Sequence, residues 1–172
     1  GEINNNTTLF LQRLYFSPKH FKKLRSSIPN LIINKNCIVQ ILLSSPWDTL
    51  ILEKRREISP VYKKALHLTL EVIIGNIVMQ LLDLFKILEE LPEGKKQNLQ
   101  IKIHDHYTIG PITGYNDIII FGYYLNQEIA DDSMQEKCKG KDTESYNRWF
   151  SEFMTSWENA KFVDRKQLET YI

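Results

Sequence analysis

The chain has few cysteines, glycines and prolines, and no long apolar run. Cys37 opens an apolar run and Cys138 lies among charged residues, so the two do not imply a disulfide, and two thiols cannot make a four-thiolate zinc site. This cysteine usage is typical of a reducing compartment, and we expect a cytoplasmic protein. Seven glycines and six prolines among 172 residues exclude collagen-like and low-complexity classes.

The chain also has no excess of positive or negative charge. The 22 basic and 21 acidic residues are mixed along the chain and give a formal net charge of +1. No long-range field therefore favours DNA or an anionic membrane. The longest apolar stretch, residues 72–82, is about half of the roughly 20 residues that a membrane span needs. We expect neither a membrane anchor nor a nucleic-acid partner.

Sequence motifs for nucleophilic catalysis are absent. There is no Gly-x-Ser-x-Gly turn, no glycine loop that could hold phosphate, and no thiol with an obvious histidine neighbour. Cys37 is expected to be buried and inert. The sequence therefore favours a module without enzymatic activity and without a cofactor.

What is present is a composition typical of one folded domain. The 172 residues, 42% hydrophobic and 25% charged, suffice for an apolar core without disulfides, so we assign residues 1–172 to a single domain. A start at Gly1 rather than Met indicates a cloning remnant or a piece excised from a longer protein.

The first half alternates strands and helices. Residues 9–16 predict a strand, and Ser17-Pro18 starts a helix that Pro29 should break or kink. Residues 37–43 are apolar and β-branched, as in a central strand covered on both faces. Residues 44–47 then start a second helix, and residues 61–91 form a long one that Gly75-Asn76 could bend or divide.

The second half predicts more strands and an aromatic helix. Residues 101–104 and 118–124 should be strands that pair antiparallel, joined by a loop over residues 110–117, and residues 126–142 should be a mobile loop at least in part. The stripe of residues 146, 149, 150, 153, 157 and 160 indicates core packing. The fold class is α/β, a mixed β-sheet with helices on both faces.

One candidate site lies where the predicted central strand meets the next helix. In open α/β sheets, ligands bind at the carboxyl ends of strands, and free helix amides favour an anion. Ser44, Ser45 and Trp47 are therefore candidate ligand contacts, with Arg55 as a source of positive charge. The alternatives are that the serines only cap the helix and that Arg55 and Arg56 form a solvated face.

A second candidate site is the triplet His104-Asp105-His106. On a strand its two imidazoles would project from one side and could share a metal, but two ligands do not make a site. The other histidines, His20 and His67, lie in predicted helices. We therefore expect hydrogen-bonding or surface histidines and no metal. Asp105 and Asp117 could form a carboxylate pair if the two late strands are partners.

The order of these elements resembles the degenerate phospholipase D-like domains found at the ends of bacterial regulators and defence proteins. The resemblance spans most of the chain at the level of pattern. In the first half the matching features are a strand with a helix (residues 9–27), a strand ending in a Pro-containing turn (38–46), a charged helix with paired arginines (53–57) and the long helix. In the second half they are the strands 101–105 and 117–124 and the closing Trp149-Phe150-Ser151-Glu152-Phe153 with Trp157 and Ala160. The resemblance implies a phospholipase D-like fold.

Active members of that superfamily carry His-x-Lys-x4-Asp, whose histidine attacks phosphorus while the lysine holds phosphate oxygens. His20-Phe21-Lys22 has the first two residues, but Ser27 stands where the aspartate belongs, and His104-Asp105-His106 lacks the lysine. The resemblance therefore implies a retained scaffold with the chemistry lost. It also implies a homodimer, because such domains often pair two motifs across a dimer.

These observations predict a non-catalytic sensor or regulatory domain. It would bind a small anionic or nucleotide-like ligand, or a protein partner, near strand ends formed by Ser44, Ser45, His104, His106 and Asp117. The alternative is a phosphodiesterase or nuclease of phospholipase D-like type that uses His104 and His106 as nucleophile or metal ligands. A third interpretation is a structural interaction domain without a pocket at those residues.

Overall fold

The computed structural model describes residues 2–50, 52–53, 69–106, 108, 110–122 and 135–170. In these residues one mixed sheet of seven strands has the order β6-β5-β4-β1-β2-β3-β7. The strands are β1 (Thr8–Gln12), β2 (Ile38–Ser44), β3 (Leu99–His104), β4 (Ile112–Tyr115), β5 (Ile118–Phe121), β6 (Glu136–Lys139) and β7 (Lys161–Phe162). The helices are α1 (Pro18–Ile33), α2 (Leu70–Glu90), α3 (Glu144–Asn159) and α4 (Arg165–Glu169), with a 3-10 helix at Glu93–Asn98. The expected α/β class with a mixed sheet is confirmed.

Three parallel strands form the middle of the sheet. β2 pairs with β1 on one side and with β3 on the other, and Ser44 lies opposite His104 at the end of the second pairing. Because β2 is covered on both faces, its residues 39 and 41–44 are buried. The prediction of a central strand here is confirmed, and all three parallel strands end at the same edge of the sheet.

The two faces of the sheet pack against different helices. Alternate residues of a strand point to opposite faces, so Leu9 and Leu11 join the core under α1 and α2, whereas Phe10 joins the core under α3. The Phe10 ring stacks on Phe153 with centroids 4.6 Å apart. The predicted aromatic stripe of α3 is therefore core packing at Tyr146, Phe153 and Trp157, which are buried, but not at Phe150, which is exposed.

The first strand and the first helix differ from expectation at their ends. β1 ends at Gln12, and the chain leaves the sheet before Phe16, whose backbone N–H donates to Gln80 Oε1 and whose carbonyl accepts from Gln80 Nε2. Ser17 caps α1 as predicted, accepting from the His20 amide. Pro29 does not break α1, which continues to Ile33 because Ile28, Leu31 and Ile32 on either side of the proline are buried.

The long helix α2 is continuous past Gly75-Asn76, so the suggested division there is wrong. Seven buried residues along its 21 positions hold both halves against the sheet and α1: Ile73, Ile77, Val78, Gln80, Leu81, Leu84 and Ile87. Packing of this apolar face outweighs the modest cost of one interior glycine. Residues 61–68, which were expected to begin this helix, lie outside the described residues.

The late strands pair differently from the prediction. β3 pairs with β2 and β7, not with β5. The expected loop over residues 110–117 contains β4, which pairs antiparallel with β1 and β5. Asn116, with a φ of 53°, supplies the left-handed conformation of the β4–β5 turn. The expected loop at residues 126–142 contains β6, and its residues 126–134 lie outside the described residues.

Candidate functional site

The polar side chains of interest lie at the carboxyl edge of the parallel strands. β1 ends at Gln12, β2 at Ser44 and β3 at His104, and all three residues are buried. The last turns of α3 and the short strand β7 border the same edge, because β7 follows α3 and pairs with β3, placing Lys161 opposite Ile103. This is the position at which open α/β sheets bind ligands.

His104 is held in one orientation by a neighbouring carbonyl. Its Nδ1 lies 3.1 Å from the carbonyl oxygen of His106, and a carbonyl only accepts, so Nδ1 carries the proton and donates. In the neutral ring Nε2 is then an acceptor. Nε2 is buried, no described residue donates a hydrogen bond to it, and the residue is 2% exposed.

Burial also keeps this imidazole neutral. The pKa of His104 is lowered from 6.5 to about 4, first because burial removes water from the charged form and second because His106 lies beside it. The carbonyls of His106 and Arg13 and the charge of Asp105 raise the pKa, but by less. At neutral pH the buried ring therefore offers a lone pair and no charge.

A cavity of about 290 Å³ opens beside His104. Its wall contains Ser45 and Trp47 from the segment after β2, Lys161 and Phe162 from β7, and Gln167 from α4. Trp47 is 36% exposed and Phe162 is 67% exposed, so this cavity has aromatic surfaces open to solvent. We call it the His104 cavity.

A second cavity, of about 390 Å³, lies on the α3 side of the same edge. Gln12, His106, Glu152 and Ser156 contribute to its wall, and Asp105 and Asn159 border both cavities. His106 Nε2 lies 3.0 Å from Ser156 Oγ, which ties the segment after β3 to α3. We call it the Gln12 cavity.

The structure brings together five of the seven residues that were singled out from the sequence. Ser45, Trp47 and His104 line the His104 cavity, and His106 lines the Gln12 cavity. Ser44 pairs with His104 in the sheet but belongs to neither cavity lining. Arg55 and His67 lie outside the described residues, and His20 is exposed in the first turn of α1.

The two serines do not cap the next helix. Helical residues begin only at Thr49, after Asp48, whereas Ser45 Oγ accepts from the Trp47 amide and the Ser45 amide donates to the His104 carbonyl. These two amides already have partners within the protein. Neither amide is therefore available to an anion, but the side chains of Ser45 and Trp47 remain in the cavity wall.

Asp117 does not belong to this site. Because β4 runs antiparallel to β1, with Ile112 opposite Gln12, the β4–β5 turn lies at the other edge of the sheet, where β1 begins. There Asn116 Oδ1 accepts from the Asn4 amide. The predicted pairing of Asp105 with Asp117 fails for the same reason, namely that β3 and β5 are not neighbours.

His104 and His106 do not form a metal centre with a third described ligand. Their ring centroids are 4.8 Å apart, but His106 lies beyond the end of β3. Within the described ranges no three His, Cys, Asp or Glu side chains come together as metal ligands. In the same ranges no helix is both long enough and apolar enough to cross a bilayer.

Several site residues were missed in the sequence. Gln12 was assigned only to the first predicted strand, and Ser156 and Asn159 were not singled out. The signal that could have found Gln12 is a polar residue that ends a buried strand. Lys161 reaches the site only through β7, a strand of two residues that no sequence pattern marks.

Comparisons with known proteins give a partial structural likeness. No protein-family model matches the chain, and no curated protein matches it. Among solved structures the chain is similar to TrmBL2, described as an archaeal chromatin protein whose structure shows a novel mode of DNA binding; 94% of this chain aligns with 46% of that chain, at 15% identity and a TM-score of 0.45. The chain thus spans less than half of that protein's length, and neither ligand nor activity follows from this likeness.

Proposed function

We propose that this domain is a non-catalytic sensor that binds a small nucleotide-like ligand in the His104 cavity. The observation that carries the proposal is the buried Nε2 of His104, to which no described residue donates a hydrogen bond. A buried acceptor without a partner costs about 1–3 kcal/mol. A ligand that donates a hydrogen bond to Nε2 would recover that free energy.

The cavity walls favour a flat ligand with an anionic end. Trp47 and Phe162 present partly exposed rings on which a base could stack, and Lys161 adds positive charge beside them. A base or sugar supplies the N–H or O–H donor that Nε2 needs. The volume of about 290 Å³ is at the lower limit of ordinary small-molecule sites, which favours a small ligand over a protein partner.

The lack of a phosphate clamp on β3 supports binding without catalysis. Lys102, the nearest lysine to His104 on that strand, donates from Nζ to the Trp157 carbonyl at 3.0 Å. The same ammonium lies 4.6 Å from the centroid of the Trp157 ring. Lys102 is thus engaged with α3. We propose that the scaffold is phospholipase D-like and has lost its chemistry.

A phosphodiesterase remains the second candidate because of one specific observation. His104, whose Nε2 is unprotonated, and Lys161 both line the same cavity. A histidine nucleophile beside a cation is the arrangement that attack on phosphorus needs. Release of nitrophenolate from bis(4-nitrophenyl) phosphate by the purified protein, abolished in the His104→Ala/His106→Ala double variant, would replace the sensor proposal with this one.

Calorimetric titration with mononucleotides tests the sensor proposal. Adenosine, guanosine, cytidine and uridine monophosphates are the probes, with inorganic phosphate as the arm that lacks a base. His104→Asn keeps a donor for the His106 carbonyl and removes the Nε2 acceptor. His20→Asn, at an exposed position of α1, is the matched control. We expect at least one mononucleotide to bind, with affinity about tenfold weaker in His104→Asn and unchanged in His20→Asn. Equal binding to both variants, or no binding by any probe, contradicts the proposal.

A further inference from the structure

The Gln12 cavity contains a second buried acceptor that the proposed function does not use. Gln12 is 3% exposed, and its Nε2 donates to the Gly110 carbonyl at 3.3 Å. That carbonyl can only accept, so the amide orientation is fixed and Oε1 is the remaining acceptor. Oε1 is buried and makes no hydrogen bond with any described residue, although Gln12 lines a cavity.

The charges around this cavity are of one sign. Asp105 and Glu152 line it, and none of the other described lining residues is a lysine or an arginine. Both carboxylates are exposed at the mouth, whereas Gln12 lies inside. The field of the two carboxylates and the lone pairs of Gln12 Oε1 all favour a positively charged donor. An anionic group would meet repulsion here, in contrast to the His104 cavity, where the positive charge of Lys161 offsets the negative charge of Asp105.

The remaining wall suits the carbon atoms next to such a cation. The Trp149 ring and the Ile112 side chain line the same cavity, and Trp149 stacks on Phe121 with centroids 3.7 Å apart, which fixes its ring. An indole attracts a cation and buries methylene groups. The volume of about 390 Å³ exceeds what a bare ion needs and lies within the range of organic ligands.

From these observations we propose that the Gln12 cavity binds a small organic amine as its ammonium ion. The ammonium group donates to Gln12 Oε1 and is paired by Glu152 and Asp105, and its alkyl part lies against Trp149. This site is separate from the proposed nucleotide site in its acceptor and in its charge preference. Among the described residues, Asp105 and Asn159 are the two that line both cavities.

Calorimetric titration with three ligands of equal length and different charge tests the proposal. The probes are n-butylamine, 1-butanol and butyrate, each added to the full chain at pH 7 and low salt. We expect n-butylamine to bind, 1-butanol to bind at least tenfold more weakly and butyrate not to bind. Equal binding of butylamine and butanol would show a site that selects any donor, and absence of butylamine binding at millimolar concentration would show no such site. Either result overturns the proposal.

Variants locate the amine. Gln12→Met removes the acceptor at similar volume, and Glu152→Gln removes one negative charge at an exposed position of α3. Each variant should bind butylamine about tenfold more weakly. Glu158→Gln, an exposed position of α3 outside the cavity lining, is the matched control and should have no effect. If Gln12→Met lowers stability, Glu152→Gln still decides the question. An equal loss in Glu152→Gln and Glu158→Gln overturns the site, whereas His104→Asn should leave amine binding unchanged and so separates this proposal from the nucleotide site.

Discussion

His104 donates from Nδ1 to the carbonyl oxygen of His106, two residues further along the chain, at 3.1 Å. This short-range contact fixes the tautomer of a buried ring and leaves its other nitrogen as a lone-pair acceptor. Because β3 ends at His104, the acceptor lies at the edge of the sheet rather than inside the apolar core. The proposed ligand site depends on this relationship.

The lowered pKa of His104 predicts a specific pH dependence of stability. In the unfolded chain the imidazole takes up a proton near pH 6.5, but in the folded protein only near pH 4, since burial and the neighbouring His106 oppose the charge. Between these values the unfolded state binds more protons, so the free energy of unfolding falls as pH falls. The contribution of His104 to the free energy of unfolding is complete above about pH 6.5. It amounts to about 3 kcal/mol at most and is lost as the pH falls toward 4.

Urea unfolding at pH 7 and at pH 4.5 measures this contribution. His104→Asn carries no titrating ring, so its free energy of unfolding should fall by about 2 kcal/mol less than that of the parent chain between the two pH values. The carboxylates titrate equally in both proteins and cancel in the difference. An identical loss in the two proteins would mean that His104 is not buried as a neutral base.

Gly114 is predicted to be irreplaceable because β4 passes directly under the Phe10 ring. A Cβ at position 114 would overlap that ring, whereas a Cβ at Gly94 would meet no atom. Gly114→Ala should therefore lower the free energy of unfolding by about 2–3 kcal/mol, and Gly94→Ala should change it by less than about 0.5 kcal/mol. Urea denaturation measures both. Phe10→Leu combined with Gly114→Ala should recover part of the loss, and additive losses would refute the overlap.

Gln80 is predicted to be essential for the path between β1 and α1. Its side-chain amide satisfies both backbone groups of Phe16, at 2.9 Å and 2.7 Å, in a buried position. Gln80→Leu should cost about 2–4 kcal/mol because two buried polar groups lose their partners. Gln97→Leu, at an exposed position, is the control and should be nearly neutral. A loss below 1 kcal/mol in a chemical-denaturation experiment on Gln80→Leu would show that water replaces the amide.

The fold was predictable where a local pattern coincides with burial. The apolar run of β2 and the aromatic spacing of α3 both predict which residues are buried. Ser17-Pro18 predicts a helix start from local chemistry alone. β4 was not predictable in the same way. It has four residues, and its Gly114 resembles a loop residue until the Phe10 ring explains it.

The candidate site was predictable only in part, for a topological reason. Ser45 and His104 follow from the rule that ligands lie at the carboxyl ends of parallel strands. Asp117 was misplaced because the partner of β5 is β4, and one wrong strand pairing moves a residue to the opposite edge of the sheet. Lys161 enters the site through its register with β3, and such non-local pairing leaves no signal in a single sequence.

The measurement that tests the central claim most directly is the protonation state of the two His104 ring nitrogens at pH 7. Long-range proton–nitrogen correlation spectra of the protein labelled with ¹⁵N-histidine, with His104→Asn for assignment, distinguish the two tautomers and the imidazolium. The structure predicts a proton on Nδ1 and an unprotonated Nε2. A proton on Nε2, donated to the Arg13 carbonyl or shared in an imidazolium, would contradict the claim that this edge of the sheet offers a free acceptor to a ligand.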